Sequence, residues 1–354
     1  MLGAHFVGEL ARRGHELTVL TGRDVMDLPP RGEVEGVPVV RVPFRAPLER
    51  RDPAALAALL EEVVETKRRV AADVVHLYHL GPDALIHELT RRASPAPDVA
   101  TLHGPFPPNL LTPTAPVGRA LRRCETVVGC SVAALQDFLD HVPEATPRGR
   151  AIPNALPADL RPVVPPPDRP TILMLGRVVP QKGFDLGVEA FAQVLDERPD
   201  ARLVVAGDGV ELEAVQRLAV ERGVAHAVEF LGWVARADVP GLIEAATLVL
   251  MPSRYEGFGL VTIETGRCAR PVVAFAIAGM PEAVVHDETG LLVEPEDVDG
   301  LAGAVRALLA DPARAASLGA EARRRAGNAA WEAHVGAYEE VYAAAVTAAA
   351  SARS

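Results

Sequence analysis

Unbroken apolar runs alternating with amphipathic stretches, in two successive series, constrain this chain of 354 residues more than any single motif. ELTVL (16–20), VPVVRV (37–42), DVVHLY (73–78), DVATLH (98–103) and TVVGCS (126–131) read as buried strands, with helical spacing over 53–70, 81–92 and 131–140. The second series is TILMLG (171–176), RLVVAG (202–207), VEFLG (228–232), TLVLMPS (247–253), PVVAFA (271–276) and GLLVEP (290–295). Helical stretches near 185–198, 211–222, 238–246, 260–268 and 299–310 intervene. Strands that are apolar throughout, rather than at every second residue, are covered on both faces, as in parallel sheets flanked by helices. The expected fold class is α/β, two Rossmann-like doubly wound domains whose ligands sit at the carboxyl ends of the strands.

The chain exceeds the size of a usual single core, and LPADLRPVVPPPDRP (156–170) reads as a stiff proline-rich linker. The expected boundaries are 1–155 for the N-terminal domain, 156–170 for the linker and 171–330 for the C-terminal domain. The Ala-rich tail 331–354 is a closing helix that packs back toward the N-terminal domain. The opening MLGAHFVGELARRGHELTVL is already a helix feeding a strand. The N-terminal domain therefore lacks a first strand and the glycine turn after it, and an upstream start or a truncated product is expected.

Net charge is −11, which argues against general nucleic-acid binding. Residues 1–160 carry 18 basic against 20 acidic side chains, whereas 161–354 carry 18 against 27. The arginine pairs of the first half (Arg12-Arg13, Arg50-Arg51, Arg68-Arg69, Arg91-Arg92, Arg122-Arg123) admit a weak peripheral contact with an anionic membrane surface. Solvated helix faces are the simpler reading. Cys124, Cys130 and Cys268 are too few for a disulfide framework or zinc cluster. With no leader-like start, a reduced, cytoplasmic protein is expected.

Strand 171–176 runs into GRVVPQKG, so Arg177 and Lys182 leave its carboxyl end, where an anion would bind. The chain has only two lysines, Lys67 and Lys182, so Lys182 stands out against an arginine-rich background. Gly207-Asp208-Gly209 follows the next strand, a place where backbone can approach a ligand, though turns after strands often read this way. In SRYEGFGLVTIETG (253–266) a glycine turn opens a helix, and amides near Leu260, Val261 and Thr262 form a cradle for phosphate. A carboxylate facing a diphosphate would be repelled, so Glu264 is read as accepting from ribose hydroxyls and Glu256 as facing the sugar. His103, at a strand end in the other domain, can donate to a phosphate or sugar hydroxyl and titrate near neutral pH. His76 and His79 are rejected as a metal pair because strand alternation separates them. Asp297-Val298-Asp299 is read as a helix cap by Asp297 or Asp299 rather than a metal motif.

GRVVPQKG, GDG, LGWV, PSRYEGFGLVTIE and PVVAFAIAGMPEAVVHDETGLLVEP together resemble the retaining glycosyltransferases of family four, from about residue 3 to 345. The resemblance implies the GT-B fold, two domains facing across a cleft, with a UDP-, GDP- or ADP-sugar as donor and an unidentified acceptor. By it, the N-terminal domain takes the acceptor and the C-terminal domain the donor. Arg177 and Lys182 would hold the diphosphate, Glu264 the ribose, and Glu256 the transferring sugar. His103 would meet a sugar hydroxyl near the reaction centre. Gly259, Leu260 and Val261 would offer backbone, and Gly3 in GAHF (3–6) would end the glycine loop. No metal or other cofactor is implied. An epimerase-like enzyme of the same fold and a non-catalytic nucleotide-sugar binder are the competing readings. A glycosidase is disfavoured, because its paired carboxylates need no cationic clamp.

Overall fold

The two series fold as two α/β units, Met1–Asn154 with Glu332–Ser354, and Ala155–Trp331. The computed structural model describes residues 2–23, 28–157, 160 and 162–351. The proline-rich segment from 156 to 170 holds no helix or strand among its described residues.

In the first unit the helices are α1 (Leu2–Arg12), α2 (Ala46–Glu49), α3 (Pro53–Val70), α4 (Pro82–Thr90), α5 (Pro116–Arg123) and α6 (Val132–His141). Its strands make two sheets. β1 (Val19–Gly22), β2 (Arg31–Val34) and β3 (Val37–Val42) form one in the order β1-β3-β2, with β2 antiparallel to β3. β4 (Val75–Leu77), β5 (Asp98–Leu102), β6 (Thr126–Gly129) and β7 (Gly149–Ala151) form a parallel sheet in sequence order. The antiparallel β2 and the short β7 correct the expectation of parallel, continuously apolar strands. RGEV and GRA are too polar to read as buried strands, and backbone pairing with a stronger neighbour holds them. Gly3 is likewise corrected. It lies within α1 rather than in a loop, and a Cβ there would stand 3.3 Å from the Tyr78 ring.

The second unit contains β8 (Thr171–Leu175), β9 (Arg202–Ala206), β10 (Val228–Gly232), β11 (Leu248–Met251), β12 (Val272–Phe275) and β13 (Gly290–Val293). They form one parallel sheet in the order β10-β9-β8-β11-β12-β13. Along the inner strands β9, β8, β11 and β12 successive residues enter opposite cores. Ile172, Met174, Leu203, Val205, Leu248 and Leu250 pack on one face. Leu173, Val204, Ala206, Val249 and Met251 pack on the other. That division explains why these strands read as continuous apolar runs. Helices α7 (Phe184–Glu197), α8 (Leu212–Glu221), α9 (Val239–Glu244), α10 (Leu260–Arg267) and α11 (Met280–Ala283) connect them, α12 (Val298–Ala310) and α13 (Pro312–Arg325) follow the last strand, and α14 (Asn328–Ser351) closes the chain as part of the first unit from Glu332 on.

Helix starts follow local chemistry. Asp52 accepts from the amides of Ala54 and Ala55 at 3.0 Å ahead of α3, and Ser131 from Ala134 ahead of α6. Asp297 accepts from Gly300 N at 2.8 Å, so the first aspartate of the Asp-x-Asp caps α12. Among the described residues no helix is long and apolar enough to cross a membrane.

Candidate active site

At the carboxyl end of the six-stranded sheet, backbone bonds knit three turns together. Gly176 N donates to Ala206 O at 3.0 Å, Val178 N to Asp208 O at 2.9 Å and Gly207 N to Gly232 O at 2.8 Å. The segments after β8, β9 and β10 are thereby held side by side. Arg177 is exposed at this rim and forms no ion pair with any described residue. Asp208 is also exposed, and its carboxylate accepts from Gly209 N at 2.7 Å. Trp233, one residue past β10, is 75% exposed, unusual for so large an apolar ring.

Lys182 ends a 3-10 turn, Pro180–Lys182, that is tied to the segment after β11. Arg254 N donates to Gln181 O at 2.9 Å, and Gln181 Nε2 donates to Tyr255 O at 3.1 Å. Lys182 Nζ then meets Glu256 Oε1 at 2.5 Å, and Ser253 Oγ donates to the same oxygen at 3.0 Å. Glu256 and Ser253 are both buried. A buried carboxylate is tolerated only when paired and hydrogen-bonded, and here a cation and a hydroxyl share that task. Both bonds fall on Oε1, and no described residue bonds Oε2.

Gly259 caps α10 at φ +85°, a left-handed conformation that suits glycine and turns the chain sharply into the helix. Thr262 N donates to Gly259 O at 2.9 Å, and Thr262 Oγ1 to the same oxygen at 2.8 Å. The Thr262 amide is therefore engaged, which narrows the expected cradle to the amides of Leu260 and Val261. Glu264 lies one turn further along α10, where Arg236 bonds its Oε1. This pairing was not expected, because Arg236 belongs to the segment after β10.

His103 and Gly3 belong to the first unit. The His103 ring lies 4.6 Å from that of Tyr78 and 5.1 Å from that of His79. Burial, then the neighbouring His79, pushes its pKa down to about 4, while a bond to the Tyr78 carbonyl opposes them. Its Nε2 is buried with no hydrogen-bond partner among the described residues. The ring is thus neutral at pH 7. The expectation of a histidine that titrates near neutrality is corrected, because burial keeps the ring neutral. His79 lies beyond β4, so strand alternation is not what separates it from His76. His76 instead joins a buried network, with Nε2 2.8 Å from Thr101 Oγ1 and Nδ1 2.7 Å from Tyr342 OH.

Of the residues singled out from sequence, Arg177, Lys182, Gly207, Asp208, Glu256, Gly259, Leu260, Val261 and Glu264 all lie beyond strand ends of the second unit. Ser253 and Arg236 were missed. Ser253 adjoins the Glu256 turn and was legible as a small polar residue closing an apolar strand. Arg236 carries no signal, since it sits between alanines in an ordinary connection.

The family model for Glycosyltransferase Family 4 matches residues 4–160, and that for Glycosyl transferases group 1 matches 158–325. A GDP-mannose-dependent alpha-(1-6)-phosphatidylinositol monomannoside mannosyltransferase of Mycolicibacterium smegmatis is 33% identical, over 90% of this chain and 87% of that protein. A D-inositol 3-phosphate glycosyltransferase of Kineococcus radiotolerans is 31% identical, over 96% and 88%. Among solved structures, sucrose-phosphate synthase of Thermosynechococcus elongatus superposes with a TM-score of 0.82 at 24% identity, over 97% of this chain and 92% of that one. Anabaena HepE in complex with UDP and glucose does so at 0.77 and 21%, over 97% and 95%.

Proposed function

The chain belongs to glycosyltransferase family 4 and has the GT-B fold, and on that footing we propose that it moves a hexosyl unit from a nucleoside diphosphate hexose to an acceptor hydroxyl with retention. The observation that carries this reading is Glu256 held on one oxygen by Lys182 and Ser253 at the turn that opens α10. In a donor complex Lys182 and Arg177 face the diphosphate, the amides of Leu260 and Val261 point at its oxygens, and Glu264 accepts from the ribose. The face of Trp233 suits a nucleobase. No divalent cation is needed, because cationic side chains and helix amides meet the leaving group's charge.

The reaction breaks the bond from the sugar's anomeric carbon to the diphosphate, whose oxygen leaves with the electron pair. The acceptor oxygen bonds to the same face of that carbon, and its proton passes to the departing phosphate oxygen. No side chain acts as a covalent nucleophile. The two relatives named above share an inositol phosphate in their names, which makes an inositol-bearing acceptor the first to try. A cytoplasmic location with peripheral contact at an anionic membrane surface fits an acceptor carried on a lipid.

The test is a donor panel of GDP-mannose, UDP-glucose and ADP-glucose, first by thermal shift and then with inositol 3-phosphate or phosphatidylinositol mannoside. One donor should raise the melting point, since a ligand of the folded form alone stabilises it. The product should keep the donor's anomeric configuration by NMR. Inversion would refute retention. Binding with neither transfer nor slow donor hydrolysis would make the chain a non-catalytic binder.

A further inference from the structure

Glu264 and Arg236 reach each other from connections that are not neighbours in the sheet. Arg236 opens the 3-10 turn Arg236–Asp238 after β10, and Glu264 lies in the helix after β11. In the order β10-β9-β8-β11, two strands stand between them, the same two that send Arg177 and Asp208 to the rim. A guanidinium half exposed to solvent meets a carboxylate that is 12% exposed. The contrast with Arg254 is informative. Arg254 is shared among Pro180 O, both oxygens of Asp185, and Glu296, so it braces its loop. Arg236 bonds Glu264 alone among the described residues, and no described residue bonds the remaining oxygen of Glu264.

Two consequences follow from elementary electrostatics. A lone carboxylate near a diphosphate would oppose donor binding, and a guanidinium beside it cancels that repulsion. A carboxylate anchored through one oxygen also loses its freedom to rotate, so the other oxygen points in a set direction. We propose that Arg236 is a positioning residue of the nucleotide site: by holding Oε1 of Glu264 it turns Oε2 to the ribose hydroxyls and decides how well the site tells ribose from deoxyribose. This rests on the reading of Glu264 as the ribose acceptor.

Calorimetric titration of GDP and UDP, each against its 2′-deoxy counterpart, tests it in the wild-type chain, Arg236→Met, Arg236→Lys and Glu264→Gln. The wild-type chain should favour the ribonucleotide by about tenfold or more, the discrimination expected when a site built for a hydroxyl loses it. Arg236→Met should shrink that ratio to within about threefold, mostly by weakening the ribonucleotide, and Arg236→Lys should restore part of it. Because Arg236 is half exposed, melting points should not move, and Arg236→Gln, which also lacks the charge, carries the same comparison should the methionine variant fold poorly. An Arg236→Met chain that keeps the full ratio, or weakens both sugars equally, overturns the proposal. A wild-type chain without ribose preference, or a Glu264→Gln chain that retains it, overturns instead the reading of Glu264 and the inference built on it.

Discussion

Lys182 is buried enough, and close enough to Glu256, that its charge serves two purposes. It neutralises a carboxylate in the free protein, and in the proposed reaction it meets the donor's phosphate. Removing it leaves Glu256 with Ser253 alone, so Lys182→Ala should cost about 2 kcal/mol of stability in a denaturant titration. Donor affinity should fall about tenfold or more in Lys182→Ala and Glu264→Ala, with Glu256→Ala acting mainly on kcat. Equal losses of donor affinity in all three would contradict this division. The chain's other lysine shows what rarity by itself does not tell. Lys67 Nζ lies 3.0 Å from His87 Nδ1, whose Nε2 meets Asp98 at 3.1 Å. Asp98 is the first residue of β5, at the end of that strand away from ligands. Burial draws the Lys67 pKa down to about 8. Both lysines are conspicuous in the sequence, but Lys67 sits in the last turn of α3 beside the amino end of β5, whereas Lys182 follows the carboxyl end of β8.

At the scale of elements, the site depends on how tightly the turn before α7 abuts the end of β11. Gly183 has φ +62°, and a Cβ there would come within 2.0 Å of Pro252 O. Backbone cannot yield as a flexible side chain can, so Gly183→Ala should destabilise by about 2–4 kcal/mol and displace Lys182 with it. Thermal melting and donor affinity should fall together; an unchanged affinity would show that the turn does not set the position of Lys182. Boundaries of the larger elements were legible. α3 spans the residues that its spacing predicted, because Asp52, Pro53 and an apolar stripe all specify one start. β2, β7 and α13 were not read, since their polar or Ala-Arg-rich segments are fixed by neighbours rather than by their own periodicity.

At the scale of the molecule, buried histidines tie stability to pH. Burial, reinforced by the charge of His103, pushes the His76 pKa down to about 3, and His103 is pushed down to about 4. Both folded values lie below the ordinary 6.5, so the unfolded chain binds more protons through that window. The contribution of the neutral rings is complete above pH 6.5 and is lost as pH falls toward 4. Each histidine should remove about 2 kcal/mol between pH 7 and pH 5. Melting points across that range check it, and His76→Gln should flatten the decline by about half; an unaltered slope would exclude His76 as a source.

What the sequence by itself determined was local and periodic: which stretches are strands or helices, that two series make two units, and that Arg177, Lys182 and the Glu256 turn all follow strand ends of one sheet. Those features depend on residues within a few positions of one another, so they survive without coordinates. Tertiary structure alone decided which charges meet. Arg236 lies 28 positions from Glu264 and Lys182 lies 74 from Glu256. An ion pair depends on where side chains end after packing, and no spacing rule along the chain reports that distance. The low pKa of His103 was hidden for the same reason, because burial is a product of packing.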